Sequence, residues 1–245
     1  MRTIGVIPAR YASTRFPAKV LAKINGKSMI EHVWRRAVQC RQLDEILIAC
    51  DHDDVLKTAA GFGAKAVMTS PQHPSGSDRI AEAVQDLKVD IIVNIQGDEP
   101  FIDPLTIDAL AMLLKADSSC EMGTVIKEIT DEQEFGNPNV VKCVVDAAGY
   151  ALYFSRAPIP FNRNAAVPAG MKHYKHLGLY AYRKDFLLRY KDWPKSLLEI
   201  TEQLEQLRVL ENGHKIKTVV TQAETLAVDT PEDLQRAGKW FAQSK

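Results

Sequence analysis

Residues 3–7 form an apolar run rich in β-branched side chains, which predicts a buried parallel strand. A polar, basic stretch follows from Pro8 to Lys19, interrupted by Pro17, and reads as a loop. Between residues 28 and 40 the apolar side chains Met29, Ile30, Val33, Trp34 and Ala37 recur at helical spacing. Ser28 is the expected N-cap, with Glu31 as its capping-box partner. Residues 45–50 predict a second strand, 53–62 a second helix and 66–68 a short third strand. A third helix is expected over 77–87, with Ser77 as its cap and Asp78 in its first turn. Residues 91–95 give another strand, apolar except at Asn94. This alternation points to a doubly wound parallel sheet.

After residue 140 the pattern changes. Residues 140–145, the turn Asp146-Ala147-Ala148-Gly149 and residues 150–155 read as a β-hairpin. Residues 177–182 predict a strand. Residues 197–210 predict one long amphipathic helix ended by Asn212-Gly213. A strand is expected over 216–220, and Thr230 with Pro231 opens a last helix as N-cap and first helical residue. No flexible linker separates the halves. The expected fold class is α/β, a doubly wound, mostly parallel sheet with a smaller α+β lobe.

Composition narrows the function. Hydrophobic residues make up 46% and charged residues 25%, an ordinary globular balance that needs no disulfide or structural metal to hold a core. Lys plus Arg equals Asp plus Glu at 31 each, so no global field draws nucleic acid or an anionic membrane. An anionic ligand must therefore meet a local cluster of cations. Cys40, Cys50, Cys120 and Cys143 show no C-x-x-C spacing and suit a reducing cytoplasm. The first residues lack a signal-peptide core, and no stretch reaches the length of a membrane span.

Several segments carry candidate chemistry. The loop after the first strand sets Arg10, Arg15 and Lys19 around Ser13 and Thr14. At the carboxyl end of a strand in an open sheet these cations can clamp phosphates, although the same loop also reads as solvated surface. It is not a P-loop. Gln96-Gly97-Asp98-Glu99-Pro100 follows the 91–95 strand, where Asp98 can hold a Mg²⁺ bound to phosphates. Asp229 sits just before a helix start, as capping support or as a second metal ligand. Ser75-Gly76-Ser77-Asp78-Arg79 opens a helix, where amides favour anions. In the second half Arg156, His176, Tyr180, Glu205 and Gln206 stand out. His173 and His176 lie on an extended segment, which argues against a metal pair there.

Taken together, these motifs resemble the CMP-Kdo synthetases (3-deoxy-manno-octulosonate cytidylyltransferases). The resemblance rests on Ile7-Pro8-Ala9-Arg10-Tyr11-Ala12-Ser13-Thr14-Arg15 with Lys19, Ser75 to Arg79, and Asn94 to Pro100. It continues through Gly149 to Arg156, His176 to Tyr180, Leu204 to Arg208, and Val228 to Leu234. It implies a cytidylyl transfer from CTP to the sugar acid Kdo, with pyrophosphate released and Mg²⁺ as cofactor. Arg10, Ser13, Arg15, Lys19, Ser75, Arg79 and Gln96 would bind the nucleotide. Lys19, Arg10, Asp98 and Asp229 would be catalytic, with Asp98 and Asp229 as metal ligands. Arg156, His176, Tyr180, Glu205 and Gln206 would bind the sugar.

The resemblance further implies a homodimer, with the hairpin region as a candidate contact. Residues 1–130 would mainly bind CTP, 131–215 would form the sugar-binding and dimer lobe, and 216–245 would close the fold. The 8-amino analogue of Kdo, a sialic acid, or a non-catalytic nucleotide-binding role are the alternatives. Ala18 and Val20 stand where the family usually has Gly and Pro, and Ala227 where it has Gly. The alanines matter wherever the backbone needs a positive φ.

Overall fold

Strand β1 (Thr3–Ala9) is buried over almost its whole length because parallel neighbours flank it on both sides. The computed structural model describes residues 1–12, 16–163 and 170–243. Short antiparallel strands β2 (Lys23–Ile24) and β3 (Lys27–Ser28) lead into α1 (Met29–Ala37). Next come β4 (Glu45–Cys50), α2 (Asp53–Gly61), β5 (Lys65–Met68), α3 (Gly76–Val84) and β6 (Ile91–Asn94). The chain continues through α4 (Pro104–Ala116), β7 (Met122–Glu128), α5 (Glu132–Gly136), β8 (Lys142–Val145), β9 (Ala151–Ser155) and β10 (Tyr174–Arg183). It ends with α6 (Lys184–Tyr190), α7 (Leu197–Glu202), α8 (Leu207–Glu211), β11 (Ile216–Thr221) and α9 (Pro231–Gln243).

The main sheet runs β11-β7-β10-β6-β1-β4-β5. β1 pairs in parallel with β4 and β6, with Ile7 opposite Ile48 and Ile4 opposite Ile92. β10 alone on this path runs antiparallel, between β6 and β7. The β8–β9 hairpin joins the same sheet through β10, so the smaller lobe extends the sheet. Side chains alternate between two cores, as a period of two requires. Ile7 and Ala9 face α1, α2 and α4, while Ile4 and Val6 face α3, α6 and α8. A third cluster packs Ile24, Met29, Val228 and Ala237 with Phe101, Trp240 and Phe241, which seats α9 beside β2 and β3.

The caps explain most helix starts. Ser28 accepts the amide of Glu31 at 3.4 Å, while the Glu31 carboxylate takes Arg35 Nε at 2.8 Å. Thr230 accepts the amide of Asp233 at 3.2 Å, and the Asp233 carboxylate accepts that of Thr230 at 3.1 Å. Gly213 adopts φ +78° just past α8, as a helix terminator should.

Two expectations need correction. The third helix is capped by Ser75, whose Oγ accepts the Asp78 amide at 3.2 Å. Ser77 lies inside the helix and is buried. Residues 197–210 are two short helices, with Gln203 left-handed at φ 55° between them. A buried pair between Glu199 and Arg208 folds α7 against α8, which a single straight helix cannot provide. The structure also adds α4 and β7, which the patterning did not single out. Helix α4 is apolar nearly all round its surface, so it lacks the polar face that marks an amphipathic helix.

Candidate active site

The carboxyl ends of β1 and β6 meet at Pro8 and Gly97. A Cβ at Gly97 would lie 2.8 Å from the Pro8 carbonyl oxygen, and one at Gly76 would lie 3.5 Å from the Pro8 ring. Glycine therefore permits the loop after β6 to press against β1. The start of α3 packs on the same proline at ordinary van der Waals distance, which a side chain at Gly76 would also allow. Three of the sequence motifs converge there, outside the carboxyl ends of the strands.

Lys19 is carried into this junction by a 3-10 turn, Lys19–Leu21. The preceding residue, Ala18, is left-handed at φ 52° and ψ 30°. The Lys19 Nζ donates to Asp98 Oδ2 at 2.7 Å and to Asp229 Oδ1 at 2.9 Å. Asp229 arrives from the far end of the chain because Val228 donates its amide to the Asp98 carbonyl at 2.9 Å. Burial works against the ammonium charge, but Asp98 and then Asp229 outweigh it and raise the Lys19 pKa. The carboxylates remain open, with side chains 29% and 38% exposed, so a ligand can reach them.

Glu99 turns inward from the same loop. Burial first, and then the charges of Asp98 and Asp229, push its carboxyl up to about 8. Among the described residues its buried Oε2 has no hydrogen-bond partner. In sequence Glu99 is only the residue before Pro100, and the fold alone gives it a place in the site.

The other nucleotide candidates surround this centre. Arg10 is exposed and donates to the His73 carbonyl. Ser75 caps α3 and also donates to Asp78 Oδ2 at 2.6 Å. Arg79 is wholly buried, bonded to Asp51 at 2.9 Å and to Thr69 at 2.6 Å. Asp51 in turn accepts the Tyr11 amide at 2.8 Å, so Arg79 fixes the β1 loop from beneath. Ser13 and Arg15 lie outside the described residues.

Gln96 links the candidates around β1 and β6 to the second set. Its Nε2 donates to the Gly178 carbonyl at 2.9 Å, at the register shift of β10. His176 and Tyr180 flank Gly178 on the same strand, their rings 5.2 Å apart. Burial pushes the His176 imidazole down to about 3, and its Nε2 lies 2.9 Å from the Thr124 hydroxyl. At neutral pH this histidine is an uncharged hydrogen-bonding group. Burial likewise raises the Tyr180 phenol well above its ordinary value.

Arg156 follows β9, where Phe154 meets His176 edge-on at 5.0 Å. The guanidinium donates to the carbonyls of Glu202 and Pro138 at 2.7 and 3.1 Å. Glu205 and Gln206 occupy the turn between α7 and α8. Burial raises the Glu205 pKa, against hydrogen bonds from Ser77 and Tyr190. Gln206 is 3% exposed, and its Nε2 has no partner among the described residues. A cavity of about 540 Å³ runs from Ser75 and Asp78 to Leu204 and Glu205.

Among the described residues, no group of three or more His, Cys, Asp or Glu side chains is arranged to hold a metal by itself. The Asp98–Asp229 pair does suit Mg²⁺, which takes one or two carboxylates and completes its shell with phosphate oxygens and water. No helix among the described residues is long and apolar enough to cross a membrane.

The chain is similar to known proteins over nearly its whole length. The family model described as cytidylyltransferase matches residues 4–216. The 3-deoxy-manno-octulosonate cytidylyltransferase of Solibacter usitatus is 51% identical over 99% of this chain and 96% of its own. That of Syntrophotalea carbinolica is 49% identical over 96% and 97% of the two chains. A solved structure of CMP:2-keto-3-deoxy-manno-octonic acid synthetase complexed with CTP superposes with a TM-score of 0.95. It shares 41% identity, with each chain fully covered.

Proposed function

The chain belongs to the cytidylyltransferase family, and from that premise we propose that it couples CTP to 3-deoxy-manno-octulosonate, forming CMP-Kdo and pyrophosphate. The observation that carries the reading is Lys19 held between Asp98 and Asp229 where β1, β6 and α3 meet. The anomeric hydroxyl oxygen of Kdo forms a bond to the α-phosphorus of CTP. The bond from that phosphorus to the β-phosphate bridging oxygen breaks, and pyrophosphate leaves. Both reactants are anions, so the barrier is largely repulsion and alignment.

The Lys19 ammonium and the Arg10 guanidinium draw the phosphates to the end of β1, together with Ser13 and Arg15. Asp98 and Asp229 would hold Mg²⁺, which when bound would supply positive charge against the phosphates. Ser75 and Gln96 bound the nucleotide, and Arg79 holds the loop through Asp51. On the sugar side, Arg156 offers a cation to the carboxylate. His176 and Tyr180 present uncharged hydrogen-bonding groups, and Glu205 and Gln206 face the hydroxyls. The unpartnered amide of Gln206 supports a ligand contact, since a buried donor without a partner is costly.

Residues 1–130 then act mainly on CTP, 131–215 mainly on the sugar and on a second copy of the chain, and 216–245 close the site with Asp229. The exposed Leu152 on β9 supports the hairpin as that contact. The expected working compartment is the cytoplasm.

Pyrophosphate release with CTP and Mg²⁺ tests the reading, run with Kdo, its 8-amino analogue and a sialic acid. Turnover with Kdo is expected. Turnover only with another sugar acid would move the substrate. CTP binding without turnover on any sugar would remove the enzyme reading.

A further inference from the structure

The turn between α7 and α8 joins both halves of the sugar-side set. Arg156 docks on its first half, donating to the carbonyls of Glu202 at 2.7 Å and Gln203 at 3.4 Å. Glu205 and Gln206 form its second half. Local propensity opposes this turn, because Gln203 takes a left-handed backbone at φ 55° that non-glycine residues disfavour. Tertiary contacts must therefore fix it.

Those contacts form a chain of named groups. Glu199 of α7 and Arg208 of α8 make a two-pronged pair at 2.7 and 2.6 Å, with both side chains 8% exposed. Glu199 Oε2 also accepts the Ser196 amide at the start of α7. The Arg208 guanidinium lies 5.0 Å above the Tyr190 ring and donates to the Trp193 carbonyl at 3.2 Å. Tyr190 is 1% exposed. Its single hydroxyl proton is shared between the Glu205 carbonyl at 3.0 Å and Glu205 Oε1 at 3.1 Å. One phenol thus fixes both the backbone and the side chain of Glu205.

We infer that Tyr190, seated by the Glu199–Arg208 pair, is a positioning residue for recognition of the sugar acid. It sets the Glu205 carboxyl on the wall of the cavity before the ligand arrives, so less ordering remains to be done on binding. The inference rests on the reading of Glu205 as a sugar contact. Lys19, Asp98 and Gln96 take no part in this brace, and Glu205 meets α3 through the Ser77 hydrogen bond, which stays in place when the Tyr190 hydroxyl is lost, so its loss should act on the sugar more than on CTP.

The test is steady-state pyrophosphate release by Tyr190→Phe beside Glu205→Gln, varying Kdo at saturating CTP and then CTP at saturating Kdo. Tyr190→Phe keeps the ring stack and removes only the hydroxyl. It should raise KM for Kdo about tenfold and leave KM for CTP within about twofold. Added to Glu205→Gln it should raise KM for Kdo far less than tenfold, since both changes act on one contact. Arg208→Lys keeps the charge without the fork and should give the same split between the two substrates. An unchanged KM for Kdo in Tyr190→Phe, with a raised one in Glu205→Gln, overturns the inference and leaves the Glu205 contact standing. If neither variant moves KM for Kdo, contact and inference fall together. Equal rises in both KM values also overturn it, because a general loosening of the fold moves both.

Discussion

Val228 donates its backbone amide to the carbonyl of Asp98 at 2.9 Å. That bond fastens the segment before the last helix onto the loop after β6. It thereby sets Asp229 beside Asp98, with Lys19 bridging the two. The site depends on this closure, because its two carboxylates come from the middle and the end of the chain.

Asp98→Asn and Asp229→Asn each keep shape and remove charge. Each should lower kcat with Mg²⁺ by about a hundredfold or more, as read by pyrophosphate release. An Asp229→Asn protein with undiminished turnover would remove that residue from the centre.

Lys19→Met should lower kcat about a hundred- to thousandfold. It also leaves two like charges without the ammonium they share. Mg²⁺ without nucleotide should then raise the melting temperature of the variant more than that of the unaltered protein. Equal Mg²⁺ responses in thermal melts would show that Lys19 and the metal do not compete.

Ala18 sits left-handed at φ 52°, a backbone that costs an alanine about 1 kcal/mol relative to glycine. Glycine is freer when unfolded, which offsets part of the gain. Ala18→Gly should therefore stabilise the protein by a few tenths to about 1 kcal/mol, visible as a higher urea midpoint at unchanged slope. A lower midpoint would mean that the αL geometry carries no strain.

Gly97→Ala places a methyl 2.8 Å from the Pro8 carbonyl oxygen, and neither partner is a flexible side chain. The change should cost about 1–3 kcal/mol and raise KM for CTP, because β1 and the Asp98 loop must part. Urea melts and CTP titration check both. An unaltered midpoint would show that the two segments separate freely.

Glu99 carries a carboxyl whose folded pKa stands at about 8, above its unfolded value. The folded state then binds the extra proton, so its stability is full below the unfolded pKa and falls as pH rises through about 8. Glu99→Gln removes that loss. Without metal or nucleotide, the variant should be more stable than the parent at pH 9 by on the order of a few kcal/mol, read from urea unfolding. The advantage should shrink towards pH 4.5. A constant difference across that range would place Glu99 in contact with water.

Much of the fold was legible in the chain because it depends on neighbours a few residues apart. The apolar run of β1, the cap at Ser28, the Thr230-Pro231 helix start and the stop at Gly213 are local signals of periodicity, side-chain hydrogen bonding and backbone freedom. Asp98 and Asp229 were readable as carboxylates following apolar runs and Lys19 as a cation of the loop after β1, and the family resemblance implied a joint role for them. The tertiary structure set the contacts by which these three meet, and only it decided that the Glu99 carboxyl turns inward beside them. The antiparallel course of β10 and the broken helix at Gln203 were also decided there. Each depends on groups beyond the reach of a local turn: Val228 on Asp98, β10 on β6 and β7, and Arg208 on Glu199 nine positions away. Pairing and burial at that range exceed what local propensity expresses, so they override it.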